Sequence, residues 1–136
     1  MYGFERTVCA CEACREKCTC LSGMVAPEDL RRWAAQETDG PAHQAWLQSH
    51  FAASPGAIVL LDGAKLRIPT IVTARLPGGR CNFLGADEGC GIHARAPYGC
   101  AYFQHDMNDQ EGNRRSQIAL VDILYDLVTA GPYSRL

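Results

Sequence analysis

Residues 57–68 read Ala57-Ile58-Val59-Leu60-Leu61-Asp62-Gly63-Ala64-Lys65-Leu66-Arg67-Ile68. Two apolar, β-branched runs flank Asp62-Gly63, a dipeptide suited to the primed two-residue turn of a β-hairpin. A further β-branched run, Thr70 to Leu76, predicts a third strand. Helical signals lie on both sides. One helix is expected from Pro27, because proline suits the first helical position and Glu28 and Asp29 suit the positive end of the helix dipole. Leu30, Trp33 and Ala34 give that helix an apolar face, and Thr38-Asp39-Gly40 ends it. Pro41 opens a second helix through about Ala53, with Ala42, Ala45, Trp46 and Leu47 or Phe51 buried and Ser54-Pro55-Gly56 as its stop. The last runs from about Ser116 to Ala130, where Ile118, Leu120, Val121, Leu124, Leu127 and Val128 form a wide apolar face before Gly131-Pro132. The expected fold is α+β: a small single domain over residues 1–136, with about three helices, a short antiparallel sheet and cysteine-rich, metal-centred loops.

Eight cysteines fall in the two stretches that these elements leave over. Cys9, Cys11, Cys14, Cys18 and Cys20 crowd the start, and Cys81, Cys90 and Cys100 follow the β region, with His105 just beyond. Residues 1–25 have little apolar periodicity, and residues 81–112 are loop-rich, with Gly85, Gly89, Gly91, Gly99 and Pro97. A loop that long in a small domain is usually functional or held by something. Metal bonds can fix a segment that buries little apolar surface, since structural zinc in small peptides contributes about 10–16 kcal/mol of apparent binding energy.

The spacing agrees with a metal. Cys11-x2-Cys14 is a knuckle that aims two thiolates at one ion, and Cys18 and Cys20 follow closely. Cys81 and Cys90 lie either side of Asp87-Glu88-Gly89, a turn that would make them neighbours on a hairpin. Cys100-x4-His105 adds two candidates from one loop. Zinc takes four tetrahedral nitrogen or sulfur ligands, and an iron–sulfur cluster prefers four cysteines, so both fit. Thiol–disulfide exchange is disfavoured, because Cys11-x-x-Cys14 has no strand before it. Disulfides are disfavoured by compartment: no basic and apolar leader is visible, which predicts a reducing cytoplasm.

The order Cys11-x2-Cys14-x3-Cys18, Gly23-Met24, Pro27-Glu28-Asp29-Leu30, Gly79-x-Cys81-x-Phe83-Leu84, Cys90-Gly91-Ile92-His93, Arg95-x-Pro97-Tyr98-Gly99-Cys100 and His105-Asp106 resembles the YkgJ-like cysteine-cluster family over nearly the whole chain. Members of that family are described as zinc- or iron-chelating proteins. The resemblance implies Cys11, Cys14, Cys18, Cys81, Cys90 and Cys100 as metal ligands, with His105 of the His-Asp pair as an addition. Cys9 and Cys20 stand outside the pattern as spectators or adaptable ligands. Some family members carry an iron–sulfur cluster, and a flagellin lysine methylase contains a related domain. This chain departs from the pattern at Ala96, Ala101 and the Arg114-Arg115 region, where relatives often have other residues, so no catalytic residue is carried over.

His93 reads as a loop histidine near the site, and His43 and His50 as surface residues of a helix. Asp106, Asn108, Asp109 and Glu111 do not meet the calcium-loop pattern, whose sixth and twelfth positions would fall on Glu111 and Gln117. A net charge of −2 gives no basic excess for nucleic acid, and no apolar run is long enough to span a bilayer. The expectation is a cytoplasmic metal-binding protein that holds zinc or an iron–sulfur cluster through both cysteine blocks. Its partner is the metal ion, and a fully ligated site would support a protein-binding surface. The alternatives are an iron–sulfur-dependent enzyme or electron carrier, and a metal-sensing or delivery protein.

Overall fold

The computed structural model describes residues 1–7, 11–18, 23–86, 89–103 and 106–135. Cys9, Cys20 and His105 lie outside the described residues, as do Asp87 and Glu88. The described elements, in order, are α1 (Glu12–Lys17), α2 (Pro27–Gln36), α3 (Gly40–His50), β1 (Phe51–Leu61), β2 (Ala64–Thr73), α4 (Tyr98–Ala101) and α5 (Asp109–Val128), with 3₁₀ turns at His93–Arg95 and Pro132–Arg135. The α+β class holds, with five α-helices and one two-stranded antiparallel sheet among the described residues.

The hairpin forms where the sequence places it. Asp62 and Gly63 have φ of 50° and 78°, the two positive values a primed turn needs, and Leu61 pairs with Ala64 across it. Two expectations fail around it. The expected helix to Ala53 stops at His50, and Phe51 already pairs with Thr73 in β1. Phe51 buries its ring against Trp33, Trp46 and Phe83, which extended backbone permits here. Ser54-Pro55-Gly56 is therefore no helix stop but a bulge, since the register shifts between Ser54 and Ala57. The expected third strand, Thr70 to Leu76, is the second half of β2 as far as Thr73. Pro69 passes within β2 because it lies opposite that bulge, where its missing N–H breaks no ladder bond.

The far edge of β2 takes up the start of the chain. Met24 bridges Val72, Val25 N–H donates to Ile71 C=O at 2.8 Å, and Thr73 N–H donates to Gly23 C=O at 3.0 Å. The Tyr133 hydroxyl completes this edge by accepting from Ile71 N–H at 2.8 Å and donating to Val25 C=O at 2.6 Å. Around it, Val25, Leu30, Trp33, Leu47, Val59, Ile68, Leu120 and Ile123 form the main core. A second cluster of Ala26, Ala96, Tyr98, Ala101, Tyr102 and Ala119 lies beneath α4. Two further expectations are corrected. Helix α5 begins at Asp109 rather than Ser116, because the Asn108 side chain caps it by accepting from Glu111 N–H at 2.8 Å. Val121 and Val128 of its wide apolar face are exposed, the core being filled by Leu120 and Ile123.

Asp29 joins the two halves. Its buried carboxylate accepts from Ala26 N–H at 2.8 Å, from Tyr98 N–H at 2.8 Å and from Arg32 at 2.9 Å. Burial pushes its pKa up, against the two N–H groups and the guanidinium, which favour the charged form. Removing the carboxylate strands two buried donors and a cation. Asp29→Ala is predicted to cost about 3–5 kcal/mol in urea unfolding, against about 1–3 kcal/mol for Tyr133→Phe. A smaller loss for Asp29→Ala than for Tyr133→Phe would contradict this ranking.

Candidate metal centre

Of the early cysteines, Cys14 lies in α1 and Cys11 and Cys18 flank it. Cys14 lies one turn before Cys18, and the spacing of three and four residues sets Cys11, Cys14 and Cys18 along one side of that turn of chain. Cys11 is exposed, and Cys14 and Cys18 are half-buried. The late block meets them through the backbone. Cys81 N–H donates to Cys18 C=O at 2.8 Å, which ties the first block directly to the second.

Cys81 is placed by the end of the β region. Beyond β2 the chain turns at Pro77-Gly78-Gly79, Leu76 N–H donates to Arg80 C=O at 2.7 Å, and Arg75 bridges Cys81. Asn82 locks this turn, its side chain donating to Ala74 C=O at 2.7 Å and His50 C=O at 2.9 Å. Phe83 anchors the loop on the core, with ring centroids 5.3 Å from His50 and 5.5 Å from Phe51. His50 and His43 are therefore half-buried stacking partners of this aromatic group rather than surface residues, and Arg95 lies over Trp46 at 4.9 Å. The chain then folds back on itself. Leu84 bridges Cys90, Gly85 N–H donates to Gly89 C=O at 2.9 Å, and Gly91 N–H donates to Phe83 C=O at 2.7 Å. The expected hairpin across the Asp87-Glu88-Gly89 region thus has its described flanks in place.

Cys100 sits in α4, whose first N–H is held by Asp29. Two glycines let α4 approach the segment before α2. Gly99 N–H donates to Met24 C=O at 2.7 Å, and a Cβ on Gly99 would strike the Met24 backbone. A Cβ on Gly23 would strike the Cys100 sulfur. At Gly99 the obstacle is backbone, so only glycine fits there, whereas at Gly23 a side chain would have to displace the Cys100 sulfur.

Two of the late thiols, Cys100 and Cys90, feel both burial and other cysteines. Burial pushes the Cys100 thiol well up, and neighbouring Cys81, Cys18 and Cys90 add to it in that order. Much of the Cys100 residue surface is nevertheless exposed, so its sulfur lies among dense protein while water still reaches the residue. Burial also raises Cys90, with Cys81 adding, while the Ile92 N–H and the Arg6 guanidinium pull it back. Arg6 is held there by His93 C=O at 2.8 Å and Ala96 C=O at 3.4 Å, and Thr7 N–H donates to Ala101 C=O at 2.7 Å. Arg6 was not foreseen from the sequence, where an isolated arginine near the start carries no signal. His93 is an exposed residue of the 3₁₀ turn, in keeping with its reading as a loop histidine.

Among the described residues no disulfide joins two cysteines. Among the same residues no three His, Cys, Asp or Glu side chains stand close enough to hold one ion. The thiols are neighbours by charge rather than a closed coordination shell. No helix among the described residues is long and apolar enough to cross a membrane. No family model, curated protein or solved structure matches the chain.

The raised thiols make stability depend on pH. A folded-state pKa above the unfolded value of about 8.5 gives stability that is full below that value and is lost as pH rises beyond it. The metal-free, reduced protein is predicted to lose thermal stability steadily above about pH 8.5, and Cys100→Ser to flatten the loss. A wild-type melting profile flat from neutral to strongly alkaline pH would refute this.

Proposed function

We propose that the chain is a cytoplasmic metal-binding protein that holds zinc or an iron–sulfur cluster through cysteines of both blocks. The observation that carries the reading is the Cys81 N–H bond to Cys18 C=O, which brings the blocks together. Around it Cys18, Cys81, Cys90 and Cys100 lie within electrostatic reach of one another. Four sulfurs are the donor set that suits tetrahedral zinc or a four-cysteine cluster. Four thiolates without a cation would repel one another, and the protein around Cys100 and Cys90 already disfavours their charge. A divalent ion or a cationic cluster core reverses that balance by displacing the protons. Gly23 leaves the Cys100 sulfur the space to take part, and Arg6 supplies positive charge beside Cys90. Cys14, one turn from Cys18, is the next donor in line, and Cys11 follows it. The resemblance to the cysteine-cluster family points to the same residues.

The chain's part in binding is to position sulfurs and release protons. The backbone bond between blocks ties Cys18 to Cys81, Cys90 bridges Leu84, and Cys100 lies in α4. Zinc would supply a structural cross-link between the blocks, and an iron–sulfur cluster a one-electron carrier.

Anaerobic purification followed by elemental analysis and visible spectroscopy tests the reading. Stoichiometric zinc in a colourless sample, or iron and sulfide in a brown sample bleached by dithionite, is expected. Cys81→Ser, Cys90→Ser and Cys100→Ser are each predicted to lose the metal. A reduced wild-type chain that neither carries nor takes up zinc or iron overturns the proposal, as does full metal content in all three variants.

A further inference from the structure

The face of α5 turned from the core carries Val121, Tyr125 and Val128, exposed by 38%, 66% and 72%. Their spacing makes one helical stripe. The stripe adjoins the outer edge of β1. Gln117, one turn before Val121, donates to Ile58 C=O at 3.0 Å and accepts from Leu60 N–H at 2.9 Å, the backbone groups that point away from β2. At that end Ile58, Leu60 and Leu61 are exposed as well.

Between Gln117 and Val128 the charged residues are Asp122 and Asp126, and both are engaged elsewhere. Asp122 accepts from the Tyr2 hydroxyl at 2.5 Å. Asp126 is buried and accepts from Arg31 at 3.0 Å and Tyr133 N–H at 2.8 Å. Ile58 and Leu60 share one face of β1, and Leu61 lies on the other. Ile58 and Leu60 with Val121, Tyr125 and Val128 leave on the order of 550 Å² open, towards the upper end for a monomer's largest apolar patch and below the roughly 800 Å² each partner gives a standard interface.

The stripe also matches itself. Val121 precedes Tyr125 by four residues and Val128 follows it by three, so rotation about an axis through Tyr125 nearly exchanges the two valines. Two stripes laid antiparallel set Tyr125 against its own copy and each Val121 against the other Val128, the self-complementarity that a two-fold interface requires. We propose that this surface pairs with a second copy of the chain, α5 against α5, with Ile58 and Leu60 of each copy extending the contact. The pairing uses none of the cysteines and stands independently of the metal reading.

Sedimentation equilibrium of the whole chain, in reductant to exclude intermolecular disulfides, tests it. A dimer is expected in the micromolar range, with Tyr125→Asp and Val128→Asp each raising its Kd at least about tenfold. Both should keep the wild-type far-UV circular dichroism, and the milder Val121→Ser should weaken the dimer should either fail to fold. Leu76→Asp, at a residue 48% exposed outside this surface, should leave Kd unchanged. A wild-type chain that stays monomeric, or a dimer that folded Tyr125→Asp leaves intact, overturns the proposal. So does a monomeric chain that sediments with phosphatidylserine vesicles through these residues, which would assign the surface to lipid.

Discussion

The carboxylate of Asp29 is the contact on which the arrangement depends. One buried group satisfies the N–H of Ala26 just before α2, the first N–H of α4 and the Arg32 guanidinium. Neither helix start has another side-chain cap. Burying an acid is costly, and here three donors offset that cost at once. Its effect reaches past stability, because α4 carries Cys100. The group that orders the core therefore also sets one wall of the sulfur cluster.

The rest of the cluster follows from close backbone approaches. Gly23 and Gly99 let α4 pack on the strand-like segment before α2, and Cys81 reaches Cys18 through a backbone bond. The peptide chain thus sets Cys81 beside Cys18, while burial and then the neighbouring thiols raise the proton affinity of Cys100 and Cys90. Burial holds these thiols in their protonated form close to one another, and a bound cation that displaced the protons is what the proposed function supplies.

Much of this was legible. The Asp62-Gly63 turn, the helix start at Pro27 and the stop near Gly131 are local signals, and they hold. The cysteine blocks were expected to converge, and a backbone bond does join Cys81 to Cys18, with Cys90 and Cys100 influenced by the same thiols. Among the described residues, however, no three His, Cys, Asp or Glu side chains stand close enough to hold one ion, and Cys9, Cys20 and His105 lie outside those residues. The failures are of one kind. Phe51 left its helix because three aromatic rings receive it in β1, and Pro55 and Pro69 entered strands because they meet at a bulge. The early start of α5 was readable from Asn108 and Glu111, residues weighed instead as a calcium loop.

By itself the sequence determined which segments could be helix or hairpin and which residues carry sulfur. These depend on turn chemistry, periodicity and residue type, which act over a few neighbours. Only the tertiary structure decided which cysteines meet, that Arg6 faces Cys90, and that Val121, Tyr125 and Val128 stay outside the core. Those outcomes turn on volume and on donors far apart in the chain. The core has room for one side of α5, and a buried acid at position 29 selects the start of α4 as its partner.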